Sequence, residues 1–145
     1  MASIITQYYD ALDGMSVSVN GTAVPVYNYD ELLNNFNAFP VRLLTPIVEQ
    51  SGEVSMITIS KGGMSPLWPV VDTCLLRPVN LAMGARWAVG GDMLEYQTNY
   101  LAAFNSLSIA RGLTTEGLSF QTGVVTVDNR DLFFIDFVHR VRENL

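Results

Sequence analysis

The chain has one cysteine, one histidine and one lysine. A single cysteine, Cys74, excludes an internal disulfide and any cysteine-based zinc cluster. A single histidine, His139, has no motif tying it to a nucleophilic serine or to Cys74. Charge is scarce: 15% of residues carry one, where about 25% is usual. No stretch of about 18 uncharged apolar residues occurs, so no membrane-spanning helix is expected. The richest window, Leu67 to Val79, is broken by Pro69, Asp72, Arg77 and Pro78. The N-terminus lacks a basic region followed by an apolar block, so no signal peptide is visible. Without a secretion signal, the glycosylation match at Asn20-Gly21-Thr22 is discounted.

Clustered cations are missing too. The net charge is −6, and of the eight basic residues only Arg140 and Arg142 sit close together. That argues against tight binding to a nucleic-acid backbone.

What is present is apolar surface. Hydrophobic residues make up 49% of the 145, and the mean hydropathy is +0.25. By size the chain is one domain, residues 1–145, long enough to bury a core. It has too few charges to cover its own exterior, which points to burial against other subunits.

Periodicity then sets the elements. Met1 to Gly14 reads as a helix capped by Ser3, with Ile4, Tyr8 and Leu12 recurring every four residues. In "SVSVNGTAVPVY", Ser16 to Tyr27, Asn-Gly between alternating runs signals a hairpin. Pro25 cannot donate to a ladder, so the second strand lies at an edge or ends early. "NYDELLNNFNAFP" suggests a helical turn and loop. Strands follow at Val41 to Val48, Val54 to Ser60 and Leu67 to Arg77. Gly90 to Arg111 reads as the best helix, with Asp92 and Glu95 as a capping box and Gly112 just past its end. Strands at Leu118 to Val127 and Leu132 to Arg142 flank the turn "DNRD". The fold class is α+β, a mostly antiparallel β-sheet with helices packed on one face. The last strand is apolar on both faces, as is Leu67 to Arg77. Two helices cover one face, so a neighbouring subunit is expected over part of the other.

The candidate chemistry is thin. Lys61-Gly62-Gly63 sits in "SKGGMSPLWP". A phosphate-binding loop needs Gly-Lys-Ser/Thr opening a helix, whereas here the lysine precedes the glycines and Pro66 follows. The stretch reads as a connection. His139 and Cys74 read as structural core or interface residues. Asp72 and Asp136 interrupt two apolar strands. If those strands are neighbours, a paired-acid or metal site is conceivable, but a salt bridge to Arg77, Arg140 or another subunit is the ordinary reading. No catalytic, cofactor-binding or metal-ligating residue is assigned.

The order of elements carries a resemblance. A short helix leads to "VPVYNYDELLNNFNAFPVRLLTP", then come "VVDTCLLRPVNL", the helix "DMLEYQTNYLAAFNSL" and a terminal hairpin ending "LFFIDFVHRV". This layout resembles the tail terminator (tail-completion) proteins of long-tailed bacteriophages. The resemblance implies a homohexameric ring that ends the tail tube and joins it to the head-completion or connector complex. It implies no enzymatic activity and no cofactor. It implies partners in the tail tube protein and the connector, with DNA sliding through without specific binding and no membrane. The implied location is the virion tail or neck, assembled in the host cytoplasm. On this reading Ser60 to Pro69 is a hairpin tip or long inter-strand loop touching a neighbouring ring, with Lys61, Gly62, Gly63, Met64 and Trp68 in contact. Phe134, Asp136 and Arg140, on one face of the last strand, are further interface candidates. The rival readings are another phage neck or tail-tube protein, or a small ligand-binding or enzymatic domain with Asp72, Asp136 and His139 around a pocket.

Overall fold

A computed structural model describes residues 4–28, 38–45, 56–60, 63–79, 86–127 and 129–144. Its centre is a sheet that is antiparallel except at one edge. Helix α1 spans Ile5–Gly14 and buries Ile5, Tyr8 and Leu12. It starts without a side-chain cap of its own. Instead the Ile4 N–H donates to Glu143 Oε1 at 2.7 Å, so an orphan donor of the helix start is met from the far end of the chain. Ser3, expected as the cap, lies outside the described residues.

Strands β1 (Ser18–Val19) and β2 (Thr22–Ala23) form the expected Asn-Gly hairpin. Asn20 and Gly21 have φ of 53° and 78°. Two positive φ values at the centre define the type I′ turn whose twist suits a two-residue hairpin. The pairing stops before Pro25, and β3 (Val26–Asn28) pairs in parallel with β4 (Val41–Thr45). The helical turn expected over "NYDELLNNFNAFP" falls mostly on residues 29–37, outside the described residues.

Strand β5 (Met56–Ser60) pairs antiparallel with the start of β6 (Gly63–Pro78), Ser60 facing Gly63. Thus β6 begins four residues earlier than expected, and most of Ser60 to Pro69 is strand. Of the two alternatives for that stretch, it is a hairpin. Residues 61 and 62, between the paired Ser60 and Gly63, lie outside the described residues. Along one side β6 pairs with β4 and β5, and along the other with β8 (Arg130–Glu143). Strand β8 pairs in turn with β7 (Leu113–Val127), giving the order β3-β4-β6-β8-β7.

Helix α2 spans Arg86–Asn105, which corrects both ends of the expected Gly90 to Arg111. Asp92 and Glu95 are not a capping box. They lie inside the helix and reach sideways, Asp92 to Arg77 and Asn20, Glu95 to the Asn20 N–H. The helix closes where the N–H groups of Ser106 and Leu107 turn to the carbonyls of Ala103 and Phe104. Asn105 and Ser106 are weak helix formers. Gly112 serves the turn into β7 rather than a helix cap. Its φ is +93°, and a Cβ there would come within 3.0 Å of Ile4 Cδ1.

Both helices cover one face of the sheet. Tyr8, Leu12, Tyr96 and Tyr100 meet Val70, Cys74, Ile135, Phe137 and Val141 in the main core. The Tyr100 ring stacks on Phe137 at 3.8 Å between centroids. Burying an aromatic of this size stabilises by roughly 1.5–3 kcal/mol. The opposite face carries a second cluster of Val41, Leu43, Leu75 and Leu132, with Tyr27, Phe39 and Phe134 against it. Part of the cover expected from a neighbouring subunit is therefore supplied by the chain itself.

Candidate functional site

Polar chemistry concentrates in one place, and it is sealed. Arg42, Asp72 and His139 are fully buried on the helix-covered face. Register explains their meeting: Cys74 stands opposite Arg42, and Asp72 opposite Phe137. The Arg42 guanidinium gives Asp72 two bonds, Nε to Oδ1 at 3.2 Å and Nη2 to Oδ2 at 2.6 Å. It also donates to the carbonyls of Leu12 and Met15, at 3.0 and 2.7 Å. These carbonyls lie at the C-terminal end of α1, where a helix needs donors and favours a cation. Burial pulls the Arg42 pKa down, but the facing Asp72 overrides it and holds the guanidinium above its ordinary range.

From Asp72 the bonds run on. Tyr100 Oη donates to Asp72 Oδ2 at 2.7 Å. The same hydroxyl meets His139 Nε2 at 2.7 Å. His139 Nδ1 lies 2.7 Å from Tyr8 Oη, which lies 2.9 Å from Thr115 Oγ1. The protons on this chain are determined. Asp72, ionised against Arg42, only accepts, so the single Tyr100 proton points at it. The Tyr100 oxygen must then accept from His139, which puts the imidazole proton on Nε2. Nδ1 is left as an acceptor for Tyr8, and Thr115 donates to Tyr8. Each ring nitrogen is used once, each tyrosine hydroxyl both donates and accepts, and all the bonds run in one direction.

Burial, aided by the Arg42 charge, lowers the His139 pKa to about 3, so the ring is neutral at ordinary pH. Burial pushes Tyr8 up to about 12 and Tyr100 well above its usual value. Neither His139 nor the two tyrosines is poised to give or take a proton near neutrality, as general acid–base chemistry requires. The arrangement holds α1, α2, β4, β6, β7 and β8 together instead. Beside it, the buried Tyr96 hydroxyl has no hydrogen-bond partner among the described residues. Burial raises the Cys74 pKa far from thiolate range. A thiol reagent should therefore label the native protein at least a hundredfold more slowly than the urea-unfolded chain. Equal rates would show that the thiol is open.

The expected site residues do not gather. Asp72 and Asp136 are on neighbouring strands but opposite faces, because Asp136 stands across from Thr73. Asp136 accepts from Thr73 Oγ1 at 2.6 Å, and desolvation raises its pKa despite that bond. The pocket imagined around Asp72, Asp136 and His139 is thus divided by the sheet. Arg77 pairs with Asp92 instead of Asp72. Lys61 and Gly62 lie outside the described residues, and Gly63 and Met64 open β6. Trp68 is half-buried within β6, and its indole N–H donates to Glu143 Oε2 at 2.8 Å. Phe134, Asp136 and Arg140 are half-buried on the face away from the helices, with Phe134 against the second cluster.

The exposed apolar surface lies elsewhere. Helix α2 carries a second stripe, Trp87, Leu94 and Leu101, at seven-residue spacing. Trp87 is 95% exposed and Leu94 67%. Beside them on β7, Phe120 and Val124 are about half exposed, at 49% and 53%. A groove of about 500 Å³ runs between, lined by Trp87, Gly90, Gly91, Leu94, Phe120 and Ile135 among others, without one charged residue. Among the described strands β7 is an edge of the sheet, and its 15 residues hold neither Lys nor Pro, the usual edge guards. No interface role for Trp87, Leu94 or Leu101 is among the sequence expectations. The signal was there, in Trp87, Leu94 and Leu101 one heptad apart. Neither protein-family profiles, nor curated proteins, nor solved structures give a match to this chain.

Proposed function

We propose that the protein is a structural subunit of a phage tail, a terminator that forms a ring at the end of the tail tube and meets the connector. One observation carries the reading most. Arg42, Asp72 and His139 are locked into scaffold bonds, while an apolar groove between α2 and β7, lined by no charged residue, lies open. Such a surface is suited to permanent contact with other subunits. The order of elements that resembles the terminator family supports the same assignment. So does the net charge of −6, which suits a ring through which DNA slides without sticking.

The test is to polymerise a phage tail-tube protein with and without the purified chain. Electron microscopy should show a ring of six copies capping one tube end, and tube growth stopping there. Filaments of this protein alone would identify a tube subunit. Tubes that grow on uncapped would overturn the assignment.

A further inference from the structure

We propose that neighbouring copies join head to tail, with Trp87 of one copy seated in a groove beside Arg77 and Asp92 of the next. The inference rests on the ring reading and names the contact inside it.

Trp87 stands almost wholly in solvent on the first turn of α2. Its flank of the helix faces β7, as the shared groove with Phe120 shows. Asp92 lies five residues on, about 140° around the helix. There α2 faces the β1–β2 hairpin and β6, through the bonds of Asp92 to Asn20 and Arg77. A second groove, of about 540 Å³, opens on that side, walled by Phe39, Pro40, Leu76 and Pro78 with Arg77 and Asp92 at its polar end. Each copy therefore offers a knob on one flank and a hollow on the other.

The chemistry of the two is complementary. The prolines and Phe39 give flat apolar walls to an indole. The Arg77 side chain, 35% exposed, can lie over the ring, a contact that favours Trp above other aromatics. Asp92 already accepts from Arg77 at 3.0 Å and Asn20 at 3.2 Å. A carboxylate has about four acceptor sites, so room remains for the indole N–H, which only donates. Size agrees as well. Taking roughly 150–250 Å² for a whole aromatic side chain, the exposed parts of Trp87, Leu94, Leu101, Phe120 and Val124 amount to about 600 Å² of apolar surface. A standard interface takes about 800 Å² from each partner, a little over half of it apolar. A contact between two different patches of identical chains repeats from copy to copy and closes into a ring when its rotation permits.

Mixing decides the matter. Trp87→Ala removes the knob. Thr22→Trp fills the hollow from an exposed position on its wall. Both sites are at the surface, and matching thermal unfolding of the variants would confirm intact folds. Native mass spectrometry and light scattering should find oligomers of the wild type. Each variant alone should be monomeric, its association weakened at least about thirtyfold, as for an interface hot spot. An equimolar mixture should recover a heterodimer and nothing larger, since only the Thr22→Trp copy has a good knob and only the Trp87→Ala copy a good hollow. Wild-type-sized oligomers of Trp87→Ala would overturn this contact and leave the ring standing. Monomeric variants that do not combine on mixing would overturn the head-to-tail arrangement. A wild type that is itself monomeric in solution would overturn the contact, and the capping of tubes would then judge the ring separately.

Discussion

Replacing Arg42 with methionine should cost about 3–5 kcal/mol of folding stability, the range for removing one partner of a buried ion pair. The reason is what stays behind. Asp72 would keep a charge with no cation near it, fully buried. The Met15 carbonyl would lose its Arg42 donor, and the Leu12 carbonyl would keep only the Met15 N–H at 3.1 Å. Urea denaturation of both proteins at pH 7 measures the difference. Changing Asp72 to leucine in the same chain should return part of the loss, because an absent pair costs less than a broken one. Tyr100 would still lack its acceptor, so recovery should be incomplete. A loss below about 1 kcal/mol for the single change, the scale of an exposed pair, would mean that water reaches Asp72.

The second large effect is an acid dependence written by His139. In the unfolded chain an imidazole titrates near 6.5, and in the fold it is held at about 3. Between those values the unfolded chain binds a proton that the native protein refuses. Stability from this group is therefore complete above pH 6.5 and is lost as the pH falls toward 3, at about 1.4 kcal/mol per pH unit. Carboxylates add their own slopes, so the clean measurement is a difference. His139→Gln keeps both bonds in the same direction, the amide donating to Tyr100 and accepting from Tyr8, yet cannot be protonated. The variant should be less stable than wild type at pH 8, where its shape fits less well. The gap should narrow steadily from pH 6.5 down to pH 4. Parallel curves over that range would show that His139 titrates alike in both states.

What the sequence made legible was local. Asn20-Gly21 announced its hairpin because a type I′ turn needs two residues of positive φ, and those two adopt it readily. "DNRD" announced the last turn, where Asn129 has φ 59°. The α+β class and the helices on one face followed from periodicity. Pairings across the chain were not legible. Arg42 and Asp72 are 30 residues apart, and nothing local marks them as partners. Their meeting depends on the register of β4 against β6, which a one-residue slip would send to the other face. Asp72 and Asp136 looked like a pair because both interrupt apolar strands. One residue of register puts them on opposite sides of the sheet. The capping box at Asp92 failed because its spacing also suits two acids inside a helix that reach sideways. Trp68 drew attention as the aromatic of a supposed loop, while the more exposed Trp87 was passed over, since exposure is a tertiary property.

Strand β8 has a consequence for the order in which the molecule comes together. It is the last described strand in the chain, yet it lies between β6 and β7 and carries the imidazole that links Tyr8 to Tyr100. Tyr8 and His139 are separated by 131 residues. While the chain is being synthesised, α1, the Asn-Gly hairpin and the β5–β6 hairpin can form from neighbours in sequence. None of them can finish the core. One side of β6 has no mate, and both tyrosines face a gap where the ring belongs. Closing so long a loop is slow, and it is rewarded only when all its contacts are made together. The nascent protein should therefore remain loosely collapsed, open to proteases and chaperones, until β8 arrives and the whole core locks in a single step.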